Sequence, residues 1–279
     1  MQILILGKNS YLGNHIGAAL KNEGQDVFFL THEQIPSDEK SVFSIAELEN
    51  IKEAFQIIIN CVVNYGKNGE DCCDVIETNI LYPLKVLEWA AKNNVRYFIN
   101  TATSITSLIN SYTLSKNQFS EWGKFYSEHK PIQFINIVLE HFLGPHCSDN
   151  NFISMLVHKM GQNVETLDLT NGMQLRDFVY IDDVVEAYLC IIHHLDKLQG
   201  QYCEIALGSG IPYRIREVCE LIKKMTKSTT KLRFGHLPYR EHEIMYSCAD
   251  NTQLRKWGWI PKISLEDAIK LIIEKENFK

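Results

Sequence analysis

Tyr112 and Lys116 stand four residues apart in Ser111-Tyr-Thr-Leu-Ser-Lys116. In a helix that spacing is about one turn, so phenol and ammonium leave from one face. A free tyrosine keeps its proton to a pKa of about 10, and a neighbouring cation favours the phenolate. A phenol so placed can give and take a proton near neutral pH, as interconversion of a carbonyl and an alcohol requires. Ordinary helix surfaces also produce this spacing. Its weight comes from the start of the chain, where the apolar run Gln2–Leu6 enters Gly7-Lys-Asn-Ser10-Tyr11-Leu12-Gly13. A glycine turn between strand and helix lets backbone N–H groups approach a pyrophosphate. Here the pattern is a variant, with Ser10 where a middle glycine is expected, and a plain strand–turn–helix without a ligand would read the same.

These residues need a scaffold, and the apolar pattern supplies one. Strands are expected at Gln2–Leu6, Asp26–Leu30, Ile57–Asn60, Tyr97–Asn100 and Gln133–Leu139, with helices at about 12–23, 47–54, 74–93 and 112–128 between them. That alternation predicts parallel strands joined by crossover helices, a doubly wound α/β sheet whose ligand crevice lies at the carboxyl ends of its strands. Gly7, Thr31, Asn60, Thr101–Ser104 and Glu140-His141 each follow a strand and are expected to converge there. After Gly144-Pro145 the rhythm loosens. Gln174–Asp183 reads as an extended run entering a helix, with Asp183 and Glu186 spaced as an acidic N-cap and its N3 partner. Further helices are expected near 214–226 and 264–274. No linker separates the halves, so a dinucleotide domain of 1–145 with 176–200 and a substrate lid of 146–175 with 201–279 are expected.

Composition narrows the function. The 279 residues carry 28 Lys and Arg against 34 Asp and Glu, a net charge of −6, which argues against nucleic acid or an anionic membrane as partner. No apolar run approaches the ~20 residues that span a bilayer. With the first strand expected from residue 2, no basic, apolar leader is expected. Eight cysteines without a CxxC pair read as reduced thiols of a cytoplasmic protein. His193-His194 has no accompanying ligand cluster, so no metal is expected.

The chain resembles the extended short-chain dehydrogenase/reductases, the family of NAD(P)-dependent nucleotide-sugar epimerases, dehydratases and reductases. The resemblance is carried by Gly7–Gly13, Thr78-Asn79, Tyr112/Lys116 and Leu139-Glu-His-Phe-Leu-Gly-Pro145. It continues in Arg176-Asp-Phe-Val-Tyr-Ile-Asp-Asp183, its most specific piece, and in Leu254–Pro261. Within the family, Asn64-Tyr-Gly66, Asn100-Thr-Ala-Thr103 and Leu139-Glu-His141 most resemble the branch of CDP-abequose and CDP-paratose synthases, 4-ketoreductases of deoxysugars for bacterial surface polysaccharide. The resemblance implies a Rossmann-type sheet with a smaller mixed C-terminal substrate region. It implies Tyr112 as general acid, with Lys116 lowering its pKa and binding the nicotinamide ribose. Thr103 would complete the contact to the substrate oxygen, with Thr101 and Ser104 as near alternatives. Asn79 would steady the loop bearing that hydroxyl. Arg176 and Arg240 would hold a nucleoside diphosphate, with Glu243 near its ribose; a structural Arg176–Asp177 pair is the competing reading. His141 stands where relatives place a substrate-contacting asparagine, and a structural histidine reads equally well. Relatives pair as homodimers through two helices, here those bearing Ile76, Ile80, Leu84, Leu87 and Phe119, Trp122, Phe125.

Three departures refine this. Strand two ends Leu30-Thr31-His32 without the carboxylate that accepts from an NAD ribose, which favours NADP(H) and leaves NAD(H) open. Only eight residues separate Thr103 from Tyr112, which implies a shortened wall over the sugar. Ser104-Ile105 replaces the acidic pair of the dehydratase branch, so elimination is not expected. Ketoreductase and 4-epimerase share every residue named. A reductase of a non-sugar carbonyl and a redox-sensing binding module are the other readings; the tyrosine–lysine pair argues against the module.

Overall fold

The computed structural model describes residues 1–32, 41–67, 69–106 and 109–276. They form two compact units, Met1–Val138 with Val185–Ile205, and Leu139–Val184 with Ala206–Lys279.

In the first unit lie β1 (Gln2–Leu6), β2 (Asp26–Thr31), β3 (Val42–Ser44), β4 (Ile57–Asn60), β5 (Tyr97–Thr103) and β6 (Gln133–Leu139). With Tyr202–Leu207, β10 in chain order, they make a seven-stranded parallel sheet ordered β10-β6-β5-β4-β1-β2-β3. Ile3–Leu6 and Ile57–Ile59 are buried without alternation, as strands covered on both faces require. β1 pairs with β2 on one side and β4 on the other. The strand order therefore reverses beside β1, where open α/β sheets bind ligands.

The helices of this unit are α1 (Tyr11–Asn22), α2 (Cys72–Ile76), α3 (Tyr82–Lys92) and α4 (Ser111–His129). The helix expected over 74–93 is broken by a π turn at Glu77–Leu81. Pro83 has no N–H to close the turn onto residue 79, which explains the widening. The helix expected over 47–54 is a short 3-10 turn, Ile45–Asn50, started by a Ser44–Glu47 capping box. The chain must then extend, because Phe55 is buried and the Gln56 N–H bonds to the Gln2 carbonyl. Ile80, Leu87 and Phe119, expected on pairing faces, belong to the core, whereas Ile76, Leu81, Leu114, Trp122 and Phe125 are exposed.

In the second unit β7 (His141–Leu143) lies parallel to β9 (Leu175–Tyr180), which pairs antiparallel with β11 (Pro212–Arg214). β8 (Thr166–Leu169) pairs parallel with β12 (Lys231–Phe234). The later helices are α5 (Phe152–Gly161), α7 (Ile215–Met225), α8 (Thr252–Lys256) and α9 (Leu265–Lys275) of this unit, and α6 (Ile181–His193), which belongs to the first unit from Val185 on. α6 begins at Ile181, so Asp183 is not its N-cap. The Asp183 carboxylate instead accepts the N–H groups of Lys262 and Ile263 at 2.9 and 3.0 Å, and its carbonyl accepts Trp259 Nε1 at 3.0 Å. Among the described residues no helix is long and apolar enough to cross a membrane.

Candidate active site

The Gly7 turn is built for close approach. Gly7 leaves β1 at φ +95°, a conformation that favours glycine. Ser10 caps α1, its hydroxyl accepting the Gly13 N–H at 3.2 Å, which gives the departure from a middle glycine a structural role. A Cβ on Gly13 would stand 3.1 Å from the Gly7 carbonyl oxygen and 3.3 Å from Cys61 Cβ, and one on Gly17 would meet the Phe29 ring at 2.6 Å. Gly17 was missed in the sequence; its spacing from Gly13 is the signal that one face of α1 lies tight on the sheet. A turn without side chains at Gly7 and Gly13, opening a twelve-residue helix with Tyr11 and Leu12 in its first turn, fits a dinucleotide pyrophosphate.

Thr31 is buried at the end of β2. His32 follows it, edge-on to the Tyr82 ring with centroids 5.5 Å apart. A carboxylate does reach this strand end: Glu77, from the π turn, lies 3.9 Å from His32 Nε2 and 3.4 Å from Lys85 Nζ.

β5 and α4 bring the catalytic candidates together. An Asn110–Thr113 capping box starts α4, placing Tyr112 and Lys116 one turn apart. The Thr103 hydroxyl, at the end of β5, stands near the Tyr112 phenol and accepts the Ile105 N–H at 3.2 Å. Thr101 is occupied elsewhere: its hydroxyl meets that of Tyr188 at 2.7 Å and donates to the Cys61 thiol at 3.8 Å. Ser104 follows β5 in a half-buried bend.

The electrostatics differ from the expected phenol activated by lysine. Burial raises the Tyr112 pKa above 10, and the neighbouring Thr103 hydroxyl only partly offsets this. Lys116 is itself 3% exposed; burial lowers its pKa from 10.5 to about 8, opposed by the nearby Cys61. Its Nζ points to the Val62 carbonyl oxygen at 3.4 Å. Burial likewise pushes the Cys61 thiol up to about 12. The lysine's own surroundings were missed because they come from a strand end 54 residues earlier.

Asn79 does not steady the loop after β5. Its side chain accepts the Asn64 N–H at 2.7 Å and donates to the Asn64 carbonyl at 2.8 Å and to Ser115 Oγ at 2.9 Å. It thereby clamps the segment after β4 to α4. Asn60 holds that segment's start, its Oδ1 accepting the Val62 N–H at 3.2 Å.

In the second unit Arg176, nine-tenths buried, donates to the Leu175 carbonyl at 2.8 Å and to the Glu243 carboxylate. Burial lowers its pKa, opposed by Glu243 and Glu140. Glu140 is buried and accepts from Ser247 Oγ at 2.7 Å. His141 rests its ring against Phe178, with Nδ1 3.6 Å from Glu140, beyond hydrogen-bonding distance. Arg240 is exposed, and its carbonyl receives the Glu243 N–H at 3.2 Å. The structure thus gathers Arg176, Glu243 and Glu140, and sets Arg240 on the turn that carries Glu243. Asp177 does not pair with Arg176. It accepts the N–H groups of Ser209, Gly210 and Ala249 at 2.8, 2.9 and 3.1 Å, as expected of neighbours that leave opposite faces of a strand. Its signal was a carboxylate inside an apolar run.

Residues 3–206 match the NAD dependent epimerase/dehydratase family. The chain belongs to that family. Its members are NAD-dependent oxidoreductases and epimerases, and this family member is an enzyme of that kind. The CDP-abequose synthase of Salmonella muenchen is 31% identical to it over 99% of this chain and 98% of its own. That of Salmonella typhimurium strain LT2 is 27% identical over 98% and 97%. The UDP-glucose 4-epimerase of Thermotoga maritima, solved with UDP-glucose, has a TM-score of 0.83 over 100% of both chains at 19% identity, which shows the shared fold.

Proposed function

We propose that this enzyme reduces a nucleotide-linked 4-keto-deoxyhexose at C4, in the making of a deoxysugar for bacterial surface polysaccharide. The observation that carries the reading is the convergence of Thr103, at the end of β5, on Tyr112, which stands one helical turn from Lys116 on α4. Full-length similarity to two CDP-abequose synthases supports the substrate class. The nicotinamide cofactor supplies the hydride. The end of β2 itself lacks a carboxylate, which favours NADP(H), whereas Glu77 beside His32 offers one and leaves NAD(H) equally open. Tyr112 gives its proton to the carbonyl oxygen, so the high pKa of its phenol keeps it in the acid form this direction needs. Thr103 donates to the same oxygen, with Ser104 beside it. Lys116 holds the ribose hydroxyls.

The remaining cofactor contacts are assigned to Gly7, Ser10, Tyr11, Leu12 and Gly13 at the pyrophosphate, Thr31 and His32 at the adenosine ribose, and Asn60 and Asn79 through the segment they hold. His141, Arg176, Arg240 and Glu243 are assigned to the nucleotide sugar. Paired arginines suit a diphosphate because planar guanidinium forks bond two oxygens at once. The exposed apolar residues of α2, the π turn and α4 are assigned to a homodimer interface.

Tyr112→Phe removes the transferable proton and leaves the ring. Turnover of NADPH with a CDP-4-keto-6-deoxyhexose should fall by ~10² or more, with the urea midpoint retained. Turnover within a few-fold of wild type would refute the assignment. Protein that purifies with tightly bound NAD and interconverts C4 isomers without net oxidation would be the family's 4-epimerase instead.

A further inference from the structure

Four adjacent strands of the main sheet carry polar side chains at one level. Asn60 of β4, Asn100 of β5 and Asn136 of β6 are buried, and Glu204 follows, exposed, on β10. Asn60 Nδ2 donates to Asn100 Oδ1 at 2.9 Å, and Asn100 Nδ2 donates to Asn136 Oδ1 at 2.8 Å. Asn136 Nδ2 then donates to Glu204 Oε2 at 3.2 Å, where the Tyr202 hydroxyl also donates at 3.2 Å. Every amide in the row donates toward Glu204. At the other end Asn60 Oδ1 accepts the Val62 N–H, and the carbonyl of Val62 receives Lys116 Nζ. A second tie runs through Ser120, whose hydroxyl lies 3.1 Å from Asn136 Oδ1 and 3.2 Å from the Lys116 carbonyl oxygen.

The common direction has a cause. A carboxylate only accepts, so Asn136 must turn its amino group to Glu204 and its oxygen inward. Asn100 and Asn60 must follow, which leaves the oxygen of Asn60 for the N–H of Val62. Reversal would set the Asn60 amino group against that N–H, donor facing donor in a buried place. Amides in a buried row polarise one another. They hold an arrangement rather than conduct protons, because each would have to pass through its imidic acid.

We propose that Glu204, at the far end of this asparagine row, is a positioning residue for Lys116, fixing the peptide against which the lysine rests. The proposal concerns catalysis only if Lys116 holds the cofactor ribose, as read above; the row's hold on the lysine does not depend on that.

Glu204→Lys places a donor where an acceptor is needed, at an exposed position where a lysine is tolerated. Glu204→Gln can present its carbonyl and keep the direction. Glu121→Lys makes the same charge change at an exposed neighbour of Tyr202 outside the row. Three quantities are measured on each: NADH and NADPH dissociation constants by fluorescence, the titration midpoint of the Lys116 ε-carbon by NMR, and the urea midpoint. Glu204→Lys should weaken dinucleotide binding about five-fold, the scale of one hydrogen bond, and move the lysine midpoint by about half a pH unit or more, with the urea midpoint nearly unchanged. Glu204→Gln and Glu121→Lys should stay within about two-fold of wild type. The proposal is overturned if Glu204→Lys titrates Lys116 as wild type does, or if Glu121→Lys produces the same changes. Failure of the wild type to bind either dinucleotide would refute the functional reading, while the lysine titration would still decide the row.

Discussion

Lys116→Met removes a charge that the fold holds almost out of water and keeps a side chain of similar length. A pKa lowered from 10.5 to about 8 means that the charged form is disfavoured in the folded chain by about 3 kcal/mol relative to the unfolded one. The variant forgoes the long hydrogen bond to the Val62 carbonyl, worth about 1 kcal/mol. The balance predicts a protein more stable by about 1–2 kcal/mol at pH 7, a midpoint a few degrees higher, and loss of turnover. The pH dependence fixes the cause. Between about pH 8 and 10.5 the unfolded chain binds more protons at this site than the folded one, so wild-type stability should rise through that window. The advantage of the variant should be full below pH 8 and should shrink toward pH 10. Urea unfolding of the cofactor-free proteins, followed by tryptophan fluorescence at pH 7 and pH 10, measures both. A variant less stable than wild type at pH 7, or an advantage that does not change with pH, would refute the reasoning.

Arg240→Ala should weaken binding of CDP by several-fold to ~10³ and leave NADPH binding nearly unchanged, as titration calorimetry with each ligand will show. His158 is held between Glu276, 2.7 Å from Nε2, and Asp149; burial lowers its pKa, and the bonds and charges of the two carboxylates more than offset this, so the net shift is upward. Its stabilising contribution should therefore be present below about pH 6.5 and be lost as pH rises through its raised value, and the difference in melting temperature between wild type and His158→Gln should be larger at pH 5.5 than at pH 9. Light scattering at micromolar concentration should give twice the chain mass, and Trp122→Glu with Phe125→Glu should return it to the monomer.

What could be read from the sequence was local. β1, β4 and β6 are short apolar runs between turn residues, and α4 is set by its cap and by the spacing that made Tyr112 and Lys116 conspicuous. Partners far along the chain could not be read. Asp183 looked like the cap of the nearest helix, yet its ligands lie 79 and 80 residues on. The raised phenol and lowered lysine follow from burial, which a spacing rule does not contain. The π turn was within reach: Pro83 interrupts an otherwise helical run, and a proline there must cost the preceding turn a bond.

Glu243 already occupies the guanidinium of Arg176, so any anion that comes to that arginine competes with a tethered carboxylate. Attachment through the chain keeps that competitor at an effective concentration of millimolar order or above. Free orthophosphate, with one point of attachment, gains little by replacing it. A ligand held also by its base and sugar brings its own effective concentration to the exchange and can win. If Arg176 holds the nucleotide sugar as proposed, the ion pair would act as a threshold, screening the arginine from inorganic anions and reserving it for molecules anchored elsewhere at the same time.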